Sequence, residues 1–272
     1  MTFRAMHRPG DPFVLANAWD VGSARMLVAL GARAIGTSSA ALAFTRGLPD
    51  GGTVGRAEAI AHAEDLADHV AVPVSADLED GYGPAPADCA ETVRQAAAAG
   101  LAGCCLEDVG PDGTAYGFDA AVARMACAAQ AAPTDFVLCA RADGVLRGAY
   151  DLEEAIRRLQ AFEAVGADVL YCPMPGDMAD LARICAAVSA PVNALVAGPW
   201  TTATRADFAA AGVARVSLGS SLARATHRLI RDAATAMFAD GRFDGLGGIG
   251  SDEVDGYLTA GAVSPAPPAP GR

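Results

Sequence analysis

Short apolar runs alternate along the chain with longer segments that have helical periodicity. Eight runs have the length and composition of buried strands: residues 13–18, 34–38, 73–77, 103–108, 136–141, 169–172, 191–196 and 215–219. Each is followed by a helical pattern, at residues 20–31, 55–70, 85–99, 118–131, 152–165, 178–188, 205–211 and 222–240. Residues 39–52 contain glycines and a proline and are predicted as a long loop. Eight strand–helix units in succession predict an α/β fold, a (β/α)8 TIM barrel.

Glycines mark four of the boundaries between a helix and the next strand. Gly31, Gly100, Gly166 and Gly212 occupy the position at which a helix ends and the chain turns back. The alternative fold, a doubly wound open sheet, usually carries a G-x-G-x-x-G turn after its first strand, and that turn is not present here. We therefore expect one barrel domain over residues 1–245, closed by a C-terminal helix, an extension at 246–272, and a mobile tail from about residue 263.

The charge of the chain limits the partners it can have. A net charge of -12 argues against nucleic acid and against an anionic membrane surface as partners. All 20 basic residues are arginine, which excludes a Schiff-base lysine and a P-loop lysine. A small anionic substrate would therefore need a metal ion or an arginine to bind it.

Cysteine usage indicates a reducing compartment. The seven cysteines are scattered through apolar segments, their number is odd, and they form no C-x-x-C pair. This pattern is typical of reduced thiols and not of a disulfide framework or a zinc site. No apolar run approaches the roughly 18 residues of a membrane span, and no secretory signal pattern opens the chain. We expect a cytoplasmic protein.

Charged side chains stand where three neighbouring strands end. Asp77 and Glu79 follow the third strand, and strand alternation would point them to the same side. Glu107 ends the fourth strand and Arg141 the fifth, so all of them should meet at the mouth of the barrel. Carboxylates alone select a hard cation, Mg2+ with Mn2+ as the alternative, and a guanidinium beside them can bind a carboxylate bidentately. A simple acidic helix cap would not explain two acidic strand ends followed by an arginine.

Two further polar or aromatic residues are candidates for substrate contact. Asn193, in the seventh strand, either points inward as a hydrogen-bond donor to substrate or is a buried amide bonded to the protein. Trp19, just after the first strand, either lines the pocket or packs beneath it.

The motifs at the strand ends resemble those of the isocitrate lyase/phosphoenolpyruvate mutase family. They read SS at 38–39, GLPD at 47–50, ADLEDGYG at 76–83, GCCLED at 103–108 and ARAD at 140–143. The resemblance runs in register from about residue 13 to about residue 228. It implies a Mg2+-dependent enzyme that cleaves or rearranges bonds next to a carboxylate or 2-oxo acid through enolate-like intermediates.

The resemblance also implies roles for individual residues. Asp77 would contact the metal directly, and Glu79 and Glu107 would hold it directly or through water. Asp50 would reach in from the loop after the second strand as a catalytic residue, together with Glu107 and Arg141. The substrate carboxylate or enolate oxygen would be bound by Ser38 and the backbone N–H groups of Ser39 and Ala40, with Arg141 neutralising its charge. Family members are usually tetramers that exchange the last helix, so the resemblance implies a homo-oligomer, either a tetramer or a dimer with that helix exchanged. The 222–240 helix is compatible with this.

The loop after the fourth strand departs from the family pattern. The lyases carry there a motif with an acid/base cysteine, and the phosphonate mutases a loop with lysine and serine. Residues 109–117 contain no Cys, Lys or His. The proton would then come from Asp50, Tyr82, Tyr116 or water.

Three hypotheses follow for the function. The first is a Mg2+-dependent lyase or hydrolase that cleaves a C–C bond in a small 2-oxo or 2-hydroxy carboxylate through a metal-stabilised enolate-type intermediate. The second is an enzyme acting on a P–C bond, such as a phosphonopyruvate hydrolase or a phosphoenolpyruvate mutase. The third is a relative that binds a metabolite without turnover, which the replaced loop motivates.

Overall fold

A closed barrel of eight parallel strands, hydrogen-bonded in sequential order, forms the centre of the computed structural model, which describes residues 1–263. The strands are β1 Phe13–Asn17, β2 Ile35–Gly36, β3 Val74–Asp77, β4 Gly103–Glu107, β5 Val137–Arg141, β6 Val169–Tyr171, β7 Val192–Leu195 and β8 Arg215–Ser217. The helices are α1 Val21–Ala29, α2 Ser39–Thr45, α3 Arg56–His69, α4 Pro86–Ala98, α5 Phe118–Ala131, α6 Gly144–Arg147, α7 Leu152–Ala164, α8 Met178–Ala187, α9 Arg205–Ala210, α10 Ser221–Asp240 and α11 Ser251–Ala260. The predicted (β/α)8 TIM barrel is confirmed.

Three helices are additional to the prediction. Helix α2 lies inside the segment predicted as a loop, where the Ser38 hydroxyl accepts a hydrogen bond from the Ala41 N–H and so caps the helix. Its residues 40–43 are all buried, so they show no alternation of polar and apolar positions. Helix α6 is a single turn, and α11 lies in the predicted C-terminal extension, where it packs against α1. The predicted mobile tail falls almost wholly on residues outside those described.

The predicted glycine boundaries have the expected backbone conformation. At Gly31, Gly100, Gly166 and Gly212 φ lies between 75° and 105°, in the region that residues with a Cβ disfavour. The chain therefore reverses from helix to strand at these four points, as the sequence predicted.

Alternate residues of each strand face two different layers. In β5, Leu138 and Ala140 belong to the core between strands and helices, whereas Val137 and Cys139 belong to the core inside the barrel. The N-terminal segment contributes Phe3 and Met6 to that inner core. The inner side chains of each strand thus form a packed interior, and the last inner residue of a strand lies at the carboxyl end of the barrel.

The remaining expectations about the chain concern cysteines and membrane spans. All seven cysteines are free thiols in the structure, in agreement with the prediction. None of the helices within residues 1–263 is long and apolar enough to cross a membrane.

Candidate active site

A cavity of about 520 Å³ opens at the carboxyl end of the barrel. Its size is within the range of about 300–1,000 Å³ that is usual for small-molecule sites. The structure brings eight of the predicted site residues to its wall: Ser38, Ser39, Ala40, Asp50, Asp77, Glu79, Glu107 and Arg141. These residues come from four successive strand ends and the segments that follow them.

Asp77 is held in place from two sides. Its Oδ2 accepts hydrogen bonds from the Ser39 N–H at 3.0 Å and from the Ser39 hydroxyl at 2.9 Å. Its Oδ1 lies 3.1 Å from Nη1 of Arg141. The first residue of α2 therefore orients the carboxylate that ends β3.

Glu79 lines the same cavity as Asp77, but the alternation of side chains along a strand, on which the prediction was based, does not place it there. Strand β3 ends at Asp77, and Glu79 lies beyond it with φ at 46°, in the left-handed region that few non-glycine residues adopt. Strain of this kind is concentrated at functional sites. Burial raises the pKa of Glu79 to about 7, the Gly52 N–H that donates to its Oε1 opposes the rise, and neighbouring carboxylates, Asp77 first, add to it. A cation would relieve this crowding of negative charge.

Arg141 forms ion pairs with three carboxylates. Its Nε and Nη2 donate to the two oxygens of Asp143 at 2.8 and 2.6 Å, and Nη2 lies 3.0 Å from Glu107 Oε2. Burial by itself would lower the pKa of Arg141, but the carboxylates outweigh it and raise that pKa well above its ordinary value. Burial also raises the pKa of Glu107, and the charge of Asp143 adds to the rise. Glu107, at the end of β4, lies directly opposite Arg141, at the end of β5, in the strand pairing. The register of these two strands therefore brings their side chains together.

Asp108, the second acid at the end of β4, has a structural role. It is fully buried and accepts hydrogen bonds from the Asp143 N–H at 2.8 Å, the Tyr150 hydroxyl at 2.7 Å and Arg158 at 2.9 Å. It therefore links the end of β4 to Asp143, the residue that orients Arg141.

The loop that departs from the family pattern folds back over the mouth of the cavity. Val109 and Ala115 pair in an antiparallel bridge, and the Gly110 N–H donates to the Thr114 carbonyl at 2.9 Å. A Cβ at Gly52 would lie 2.6 Å from Pro111 Cβ, so the loop is in contact with the segment that carries Asp50. Asp112, at the tip of the loop, lines the cavity.

Two predicted substrate contacts lie outside this cavity. Asn193 is fully buried deeper in the barrel, where it donates to the Ser217 hydroxyl at 2.9 Å and accepts from Arg215 at 2.8 Å. Its amide is therefore bonded to the protein, as the second interpretation of this residue expected. Trp19 does not line the cavity, and its carbonyl contacts Nε2 of His62 at 2.9 Å.

The two tyrosines considered as proton donors are also away from the cavity wall. The Tyr116 hydroxyl donates to Asp80 at 2.6 Å, and burial raises its pKa above the ordinary value. Burial raises the pKa of Tyr82 as well. Neither lines the cavity that contains Asp77.

Sequence reasoning missed several residues of the wall, among them Asp112, Arg147, Tyr171 and Ser220. Tyr171 could have been found from its place at the end of β6. Asp112 and Arg147 lie on turns after β4 and β5, and no pattern in the sequence separates them from other surface charges.

The donor set fits a hard cation that retains water. Over residues 1–263, no three His, Cys, Asp or Glu side chains form a group that could hold a metal ion by themselves. Mg2+ does not need such a group, because it is usually bound by one or two carboxylates together with waters and substrate oxygens. Asp77, Glu79 and Glu107 present carboxylate oxygens on one wall that could serve as ligands. Burial is the first cause of the raised pKa of Glu79, and the neighbouring carboxylates, Asp77 first, add to it.

A TIM barrel with carboxylates and an arginine at its carboxyl end is the frame of a large class of enzymes. The family model described as phosphoenolpyruvate phosphomutase matches residues 3–238 of this chain. The chain belongs to the phosphoenolpyruvate mutase/isocitrate lyase superfamily, whose members are Mg2+-dependent lyases and mutases acting on C–C and P–C bonds.

Individual relatives share most of the chain. An uncharacterized protein of Mycobacterium tuberculosis is 38% identical over 221 residues, which is 81% of this chain and 82% of that protein. A 2-methylisocitrate lyase of Escherichia coli is 27% identical over 238 residues, or 83% of this chain and 80% of the relative. The crystal structure of a Burkholderia cenocepacia J2315 protein, provisionally described as a lyase/mutase, superimposes with a TM-score of 0.89 at 40% identity and covers 94% of both chains.

Proposed function

We propose that this chain is a Mg2+-dependent lyase or hydrolase that cleaves a C–C bond in a small 2-oxo or 2-hydroxy carboxylate through an enolate-type intermediate. The observation that carries the proposal is the common cavity wall formed by Asp77, Glu79, Glu107 and Arg141. Similarity to 2-methylisocitrate lyase over four fifths of the chain supports cleavage of a C–C bond.

The three carboxylates would bind the cation in different ways. Asp77 would bind it directly, because Ser39 already fixes the orientation of this carboxylate. Glu79 and Glu107 would hold it directly or through water. Mg2+, or Mn2+ in its place, would supply positive charge that stabilises the enolate as it forms.

Ala40 and Arg141 are the best-supported substrate contacts. The Ala40 N–H, in the first turn of α2, has no hydrogen-bond acceptor among the described residues, whereas the Ser39 N–H is bonded to Asp77. A free N–H at the start of a helix favours an anionic oxygen. Ser38 is buried beneath this turn and caps α2. Arg141 would neutralise the carboxylate of the substrate next to the bond that breaks.

Proton transfer would involve Asp50. It lines the cavity beside Glu79, whereas Tyr82 and Tyr116 do not line it. Asp112 lines the same rim, but the Thr114 N–H donates to it and lowers its pKa, so it suits the role of a base and not of an acid.

Two observations favour the P–C alternative. Asp50 lies at the rim of the cavity, where it could attack phosphorus as a nucleophile, and the matching family model is described as a phosphomutase. The loop at 109–117, however, provides no lysine for the charge of a phosphonate. Release of inorganic phosphate from phosphonopyruvate would favour this alternative.

We infer a homo-oligomer from exposed apolar side chains at the C-terminal end. Large apolar residues are exposed along α10 and just after it: Leu229, Ile230, Phe238, Phe243, Leu246 and Ile249. Several large exposed apolar side chains along one helix and the segment after it favour an interface between chains. Light scattering of the purified protein should give a mass of two or four chains, and the mass of one chain would contradict the inference. A cytoplasmic location remains a prediction.

The test of the proposed function is a turnover assay with Mg2+. Substituted malates, 2-methylisocitrate and oxaloacetate would each be incubated with the protein, and the release of a 2-oxo acid, or of oxalate from oxaloacetate, would be followed. We expect one of them to be cleaved in Mg2+, and cleavage to be lost with EDTA and in Asp77→Asn. If oxalate binds tightly but none of these acids is cleaved, the chain is a binding protein without turnover and the proposal is wrong.

A further inference from the structure

Arg147 lies at the rim of the cavity, and its positive charge has no partner among residues 1–263. It is the last residue of α6 and lines the cavity together with Leu146. No ion pair within residues 1–263 includes its guanidinium, and no side-chain hydrogen bond does so either. Arg141, the other arginine of the wall, is in contact with three carboxylates.

The charge around Arg147 is strongly negative. Six carboxylates line the cavity with these two guanidinium groups: Asp50, Asp77, Glu79, Asp80, Glu107 and Asp112. A substrate with two carboxylates would be repelled by this wall unless each of its charges met a cation. A bound Mg2+ and Arg141 would account for one end of such a substrate, and Arg147 is the remaining cation for the other end.

The backbone of Arg147 is bonded to Asp143, one of the residues that hold Arg141. Its N–H donates to the Asp143 carbonyl at 3.1 Å, while the Asp143 side chain holds Arg141. At the start of α6, a Cβ on Gly144 would lie 2.1 Å from the ring of Tyr150, so the helix packs against this tyrosine without space between them. The start of the turn is therefore packed against the barrel, and the turn presents the exposed Arg147 at the rim.

We propose that Arg147 binds a second, distal carboxylate of the substrate and thereby restricts the enzyme to dicarboxylic acids. The planar guanidinium accepts a carboxylate bidentately, with a fixed orientation that a lysine would not give. The inference rests on the proposed function, because the reacting end of the substrate must lie at Asp77 and Arg141. It adds to that function the chemical class of the substrate and a residue that selects it.

A matched pair of ligands tests the assignment. Malate is lactate whose methyl group carries a second carboxylate, so the two differ by the group that Arg147 would bind. Dissociation constants of malate, lactate and oxalate would be measured by calorimetry with Mg2+ for the wild type, Arg147→Gln and Arg147→Lys. Arg94→Gln removes an exposed arginine of α4 far from the cavity and is the control.

We expect Arg147→Gln to weaken malate binding about tenfold or more and to change lactate and oxalate binding by less than about twofold, since a hydrogen bond to a charged group is lost only for malate. Arg147→Lys should recover part of the malate affinity. An equal loss for all three ligands, or no loss for malate, would overturn the assignment while the proposed function stands. If the wild type itself fails to bind oxalate with Mg2+, both the proposed function and this inference are wrong.

Discussion

His7 lies in the inner core of the barrel and is held in its neutral form by its hydrogen bonds. Its Nδ1 is 3.0 Å from the Phe3 carbonyl, so this nitrogen carries the proton, and its Nε2 is 3.3 Å from Nη1 of Arg215, so this nitrogen must accept. His7 is 8% exposed, and its ring packs edge-on against Phe3 and Phe13. A second proton would place two donors against each other beside a buried guanidinium.

This arrangement predicts a loss of stability in acid. Burial, with the charge of Arg215 as the next cause, lowers the pKa of His7 from 6.5 to about 3. Below pH 6.5 the unfolded chain therefore takes up a proton that the folded protein does not take up until about pH 3. Stability from this residue is complete above pH 6.5 and falls as the pH is lowered, by about 1.4 kcal/mol for each pH unit inside the window. Between pH 6 and pH 4 the loss should be about 2 to 3 kcal/mol.

Urea unfolding of the wild type and His7→Gln at several pH values measures this loss. The difference in unfolding free energy between them should shrink by about 2 to 3 kcal/mol from pH 6 to pH 4, because the variant has no imidazole to protonate. His227→Gln, which removes an exposed histidine of α10, should follow the wild type. A difference that stays constant over this range would refute the reasoning, as would an imidazole resonance of His7 that titrates above pH 5.

Two substitutions near the cavity test its support. Gly52→Ala places a Cβ on a residue with φ 66°, 2.6 Å from Pro111, and should lower the melting temperature. Gly113→Ala is the control, because Gly113 has φ 80° but no atom within 4 Å of the new Cβ, and its effect should be smaller. Equal effects would contradict the contact between the two loops. Asp143→Asn removes one of the three carboxylates that contact Arg141 and should lower the free energy of unfolding in urea by about 3 kcal/mol. This value is near the lower end of the range for breaking a buried ion pair, because two carboxylates remain on Arg141. An unchanged free energy of unfolding would show that this pair is not important to the fold.

The barrel and most of the predicted residues that line its cavity could be predicted from the sequence, because both follow from local patterns. Eight apolar runs define the strands, and parallel strands place their carboxyl ends together, so Glu107 and Arg141 had to meet. This contact could be predicted without knowing the conformations of the loops.

Other features depend on contacts that no local pattern records. Helix α2 is seven residues long and its residues 40–43 are all buried and apolar, so the sequence shows no alternation of polar and apolar positions there. Glu79 shares the cavity with Asp77 through a left-handed backbone conformation and not through strand alternation. Arg147 resembles any surface arginine until α6 places it at the rim. Asn193 was assigned two alternatives because only the packed interior shows that Arg215 and Ser217 satisfy its amide.

The most direct test of the central claim is the binding of oxalate, a planar analogue of an enolate, with and without Mg2+. Calorimetry would be run on the wild type, on Asp77→Asn and on Asp119→Asn, which removes an exposed carboxylate of α5 as the control. The account predicts binding that requires Mg2+ in the wild type and the control, and is at least about tenfold weaker in Asp77→Asn. Oxalate binding of equal strength in Mg2+ and in EDTA, or unaffected by Asp77→Asn, would contradict it.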